Sequence, residues 1–139
     1  MRVVLDTNVI VSSYVSPRGA PGRIREALSE LRFELVLSQQ VLDEYRHVLH
    51  RPGLARFHGM TAEKIEDQLA KLVAAVRVEL ATSIESLPVR DPNDAIILEA
   101  AVAGGANLIV SGDNDLLVLG TFRGIGIVSP TAFLALLGL

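Results

Sequence analysis

Short apolar runs alternate with stretches of helical periodicity along this chain, and that alternation limits the fold more than any other feature. Residues 2–5 ("RVVL"), 33–38 ("FELVLS"), 107–113 ("NLIVSGD") and 124–129 ("GIGIVS") read as strands. A helix is expected from about Thr7 until "SPRGAPG" (16–22) breaks it. Pro21 and Gly22 then open a second, with Ile24, Ala27, Leu28 and Leu31 at helical spacing. Ser38 is a good N-cap for "QQVLDEYRHVLH", which Pro52 and Gly53 stop. A further helix is expected over 61–80, with Ile65, Leu69, Leu72, Val73 and Val76 as its stripe and a tail able to switch to extended chain. Asp91 caps a helix over 91–105 with Pro92 at its first position, "NDLLVL" makes a short helix or turn, and Pro130 starts the terminal helix. Strands alternating with helices predict an α/β domain with a central, mostly parallel sheet flanked by helices.

At 139 residues the chain fits one domain, 1–139. Half of its residues are hydrophobic but only 4% are aromatic, so the core must be aliphatic, as suits helices packed on a parallel sheet. There is no cysteine, which excludes disulfides and thiolate metal sites. Asp6 interrupts the first apolar run too early for a signal peptide, and no stretch approaches a membrane span. The expectation is a cytoplasmic protein with no membrane partner. A net charge of −3 argues against indiscriminate binding to nucleic acid while leaving room for a local basic patch.

Asp6 follows the first strand directly, and Asp113 ends the third apolar run. In open α/β sheets ligands bind beyond the carboxyl ends of the strands, so both acids should share one edge. Asp94 stands on the first turn of the helix that Asp91 caps. At ~100° per residue, Glu44 falls at the border of the apolar arc made by Val41, Leu42, Tyr45, Val48 and Leu49, whereas Asp43 points away from it. Each acid has an ordinary reading: a cap, a first-turn acid favoured by the helix dipole, a surface acid or a turn residue. Four carboxylates meeting in one cleft would instead repel one another strongly unless a hard divalent cation such as Mg²⁺ or Mn²⁺ were held between them. A cation so held can activate a water and neutralise charge on a phosphodiester oxygen.

"VVLDTNVIVS", "LSQQVLDEY", "DPNDAIILEAA" and "IVSGDNDLL" resemble, in order, the four acidic motifs of the PIN domain, a nuclease family. "GIGIVSPTAFLALL" resembles the tail of PIN proteins assigned as toxins of toxin–antitoxin systems. The resemblance implies a PIN-like nuclease domain in which Asp6, Glu44, Asp94 and Asp113 form the metal-binding, catalytic cluster. It gives accessory roles to Thr7, Asn8, Ser111 and Asp115. The implied activity is Mg²⁺- or Mn²⁺-dependent hydrolysis of single-stranded or structured RNA. An antitoxin protein is the implied partner, and a homodimer is compatible with it.

The three histidines lie in "HVLHRPGLARFH" (47–58), together with Arg51 and Arg56. His47 and His50 share a face that could hold a transition metal, but a helix end that favours positive charge explains them more simply. With Arg46, this segment is the best candidate for an RNA-backbone contact, and Arg18 and Arg23 beside "GAPG" are the next. Two rival functions remain. "DTN" after a first strand is similar to phosphatases with an aspartyl nucleophile, yet Asn8 stands where that chemistry wants a second acid, and both lysines lie in one mid-chain helix. The other rival is a non-catalytic PIN-like module that only binds RNA or protein.

Overall fold

The computed structural model describes residues 1–74, 77–78 and 87–139. The expected strands and helices form an α/β domain. Strand β1 (Arg2–Leu5) runs into α1 (Thr7–Val15), then α2 (Ala20–Ser29), β2 (Glu34–Leu37) and α3 (Gln39–Leu49). Next come α4 (Pro52–His58), α5 (Ala62–Ala74), β3 (Arg77–Val78) and α6 (Pro92–Ala103). The chain closes with β4 (Leu108–Val110), α7 (Asn114–Leu117), β5 (Thr121–Phe122), β6 (Ile125–Val128) and α8 (Pro130–Leu136).

Among the described residues the sheet has six strands in the order β3-β2-β1-β4-β6-β5, all parallel except the last pair. From the central β1 the chain builds outward to β2 and β3, then crosses to start the other half with β4. The strand order therefore reverses between β1 and β4. Crevices at such a reversal are the ligand sites of open α/β sheets. The register aligns Leu5 with Val110, and the Asp6 amide donates to the Val110 carbonyl at 2.9 Å. Asp6 and Ser111 thus leave adjacent strands side by side.

Val3, Val4, Leu5, Leu35, Val36, Leu37, Ile109 and Val110 are almost wholly buried, the continuous apolar strands of a sheet covered on both faces. Helix α6 packs across β1, β2 and β4, while α3 packs against α1 and α6. Phe33 meets Phe133 of α8 edge-on at 5.1 Å between ring centroids. The caps are as expected: Ser38 accepts from the Val41 amide at 3.1 Å, and Asp91 from the Asn93 amide at 2.9 Å. Gly22 is required by close approach, since a Cβ there would lie 1.9 Å from the Pro17 carbonyl oxygen.

Three expectations change. Pro52 does more than stop α3; it opens α4, because proline suits the first helical turn, where its missing N–H leaves no bond unmade. The helix expected over 61–80 ends at Ala74 within the described residues, and Arg77–Val78 is strand; Val76 lies outside the described residues, and Val73 is partly exposed. The strand β5 was not foreseen. It is a two-residue hairpin partner of β6, closed by Arg123 and Gly124, both at positive φ, the conformation that tight hairpins require. No described helix is long and apolar enough to cross a membrane.

Candidate active site

The three aspartates meet at the reversal point. Carboxylate oxygens of Asp6, Asp94 and Asp113 all lie within 4.8 Å of one another. Local structure explains each position. Asp6 is the residue between β1 and α1, with its carbonyl accepting from the Val9 amide at 2.9 Å. Asp94 is in the first turn of α6, whose start is fixed by the Asp91 cap and Pro92. Asp113 caps α7 by accepting from the Asp115 amide at 2.9 Å. Asp6 and Asp94 are buried, and Asp113 is half-buried.

Ser111 joins two of these acids. Its hydroxyl donates to Asp6 Oδ2 at 2.7 Å and accepts from the Asp113 amide at 2.9 Å. The amide can only donate, so the serine proton is directed to the carboxylate. Ser111 is completely buried, which fixes this arrangement.

The electrostatics are those of crowded acids. Burial pushes the Asp6 carboxyl above its ordinary value, the Ser111 hydroxyl and Thr7 amide oppose that, and the charges of Asp113 and Asp91 add to it. Asp94 is pushed up to about 6 by burial first, then by the charges of Asp113, Asp6, Asp91 and Asp115. Two carboxyls held above their usual range in one crevice are the signature of a site built to receive positive charge. The donor set fits a hard divalent cation, since every converging ligand atom is a carboxylate oxygen and, among the described residues, no nitrogen or sulfur ligand joins them.

Glu44 stands outside this three-acid group. It is half-buried on α3 and forms no ion pair among the described residues. Asp43 turns away, as expected, to Arg46 at 3.3 Å and Gln39 at 2.8 Å. Thr7 is buried at the start of α1, whereas Asn8 and Asp115 are exposed.

Tyr45, on the apolar arc of α3, does more than fill the core. The ring is fully buried, and its hydroxyl donates to the carbonyl of Leu5, the residue before Asp6. That bond ties α3 to the end of β1. Burial first, and then the charge of Asp6, hold the phenol well above its ordinary range, so it serves as a neutral donor. A tyrosine on an aliphatic stripe is itself the legible signal, because a buried phenol needs a partner.

Among the cations, Arg46 pairs with Glu66 at 3.0 Å and with Asp43 at 3.3 Å, both exposed ion pairs. His50 also contacts Glu66, at 2.7 Å, and Glu66 lies below its ordinary range chiefly through that bond. Arg18, Arg23 and Arg51 are exposed and form no ion pair among the described residues. A separate cleft of about 400 Å³, lined by Tyr14, Arg25, Gln68 and Lys71 among others, includes none of the four acids.

Comparison with known proteins agrees with this architecture. A protein of Methanocaldococcus jannaschii without an assigned function is 29% identical over 122 residues, which span 86% of this chain and 75% of that one. The fold superposes on a chain of VapBC2 from Rickettsia felis, solved bound to a DNA fragment from their promoter, with a TM-score of 0.61. That match covers 93% of this chain and 98% of the other at 15% identity. Residues 2–115, which hold all four candidate acids, match the family description of the PIN domain. With its acids gathered where the strand order reverses, the chain belongs to the PIN domain family, whose members are generally nucleases.

Proposed function

We propose that this protein is a divalent-metal-dependent ribonuclease. The observation that carries the reading is the convergence of the Asp6, Asp94 and Asp113 carboxylates within 4.8 Å in a PIN domain. These three would hold Mg²⁺ or Mn²⁺, which when bound supplies Lewis-acid activation of a water and neutralises charge on the phosphodiester. Ser111 keeps the Asp6 carboxylate turned toward its partners by donating to one of its oxygens. Asp94 must lose its proton to act as a ligand, and with its pKa at about 6 it does so at neutral pH. Glu44, next to the anchored Tyr45, would act at longer range than the aspartates, orienting the attacking water. Thr7, Asn8 and Asp115 flank the cluster as supporting residues. Arg18, Arg23 and Arg51 offer exposed charge to RNA phosphates.

The decisive experiment is cleavage of single-stranded RNA with Mg²⁺ or Mn²⁺, with EDTA as the control. Asp6→Asn keeps the side chain's shape and removes a negative ligand, so it should abolish most turnover while the protein stays folded. Full activity in that variant would refute the assignment.

The biological reading is that of a cytoplasmic toxin held by a cognate antitoxin. Its support is the sequence resemblance of the C-terminal segment and the fold shared with VapBC2. Co-expression with the product of a small neighbouring gene should yield a stable complex in which RNA cleavage is suppressed.

A further inference from the structure

From Tyr45 through Ala62 the chain has no aspartate or glutamate, yet it carries Arg46, Arg51, Arg56 and all three histidines. In a protein of net charge −3 this is a pronounced local reversal of sign. The fold sorts all of these groups but the exposed His47 into two sets. Arg46 and His50 are spent on Glu66. His58 is spent as a fastener: it takes the Met60 amide on Nδ1 at 2.9 Å, which makes Nε2 the donor to the Leu49 carbonyl at 2.9 Å. The hydrogen bond to Leu49 pins the end of α4 to the end of α3, the Met60 amide holds the ring in that orientation, and Leu54 packs against the core.

What α4 presents to solvent is Arg51, Arg56 and Phe57, all exposed. The Arg56 guanidinium lies 4.9 Å from the Phe57 ring centroid, yet the phenylalanine remains 56% exposed. An exposed aromatic ring with an arginine against it, on a pinned helix that a second exposed arginine caps, suits a single strand, with the ring stacking a base and the guanidinium groups meeting phosphates.

We infer that α4 is a single-stranded RNA contact, in which Phe57 stacks a base and Arg51 and Arg56 hold the adjoining phosphates. This rests on the ribonuclease reading for the choice of nucleic acid. Sign decides against an apolar partner, because the Arg56 guanidinium lies against the ring and its own segment carries no acid. Binding energy gathered at a helix that contributes none of the acids would serve to position the strand.

The test measures binding of a fluorescently labelled single-stranded RNA to the full chain in EDTA, where no cleavage occurs, across a salt series. Phe57→Ala should weaken binding about 5- to 150-fold, the usual worth of one base stacked on an aromatic ring. Phe57→Leu, which keeps apolar surface but not the ring, should weaken it nearly as much. Arg51→Gln with Arg56→Gln should lower the log–log salt slope by ~1.4, or ~0.7 for each lost phosphate contact. Unchanged affinity and slope in all three proteins would overturn the inference. So would a Phe57→Ala protein that binds RNA normally but changes its sedimentation mass, since α4 would then be a protein interface. The two readings fail separately. RNA cleavage that depends on Asp6 but whose KM ignores the α4 variants removes only the α4 contact. RNA held through α4 but never cut with Mg²⁺ or Mn²⁺ removes only the nuclease.

Discussion

Ser111 donates to Asp6 across 2.7 Å while accepting the Asp113 amide, so one buried hydroxyl sets the relative position of two acids contributed by neighbouring strands. Ser111→Ala removes a bond to a charged group and leaves the Asp113 amide without its partner. The expected loss is about 1.5–3 kcal/mol of stability in urea unfolding. The Asp6 carboxyl should also titrate higher still, because one of the two contacts that lower it is gone. NMR titration of the Asp6 carboxyl carbon reads this directly, and an unshifted midpoint would contradict the role.

Asp94 gives a pH prediction of definite sign. Its carboxyl rises from 3.8 to about 6 on folding, so its contribution to stability is fully present below pH 3.8 and is lost as pH rises through 6. In EDTA, Asp94→Asn should therefore melt higher than wild type at pH 7, with the advantage shrinking as the pH falls toward 4. A carboxylate that merely served the helix dipole would behave oppositely, costing roughly 0.3–1 kcal/mol when neutralised. Paired melting curves across pH distinguish the two.

Divalent cations should raise the melting temperature of wild type, because they bind the converged carboxylates of the folded state alone. Asp94→Asn should gain less from the same Mg²⁺ or Mn²⁺ concentration. The wild-type gain should itself diminish below pH 6, where protons compete for Asp94. An equal shift in both proteins would exclude Asp94 as a ligand.

Tyr45→Phe keeps the packing volume but strands the Leu5 carbonyl in the core. The expected cost is about 1–3 kcal/mol, measured as a lower urea midpoint with an unchanged m-value. A neutral result would mean that another donor reaches this carbonyl.

The sequence alone determined much of this protein. Apolar runs ending in Asp6 and Asp113, together with Pro92 and Asp94 behind the Asp91 cap, were legible because strand ends and helix starts are local chemistry. A parallel sheet carries such ends to one edge, and the three aspartates meet there. Periodicity also separated Asp43 from the inward face of α3. The tertiary structure decided what depends on distances between elements. It left Glu44 outside the three-acid group, because helical phase gives a side chain's direction about its own axis but not where the axis lies. It spent Arg46 on Glu66, a residue 20 positions away whose nearness no local pattern encodes. It made Tyr45 the anchor of Leu5 and turned Pro52 from a stop into the start of α4. It also added β5, whose two residues are too few to carry an alternation and which exists because β6 offers an edge to pair with.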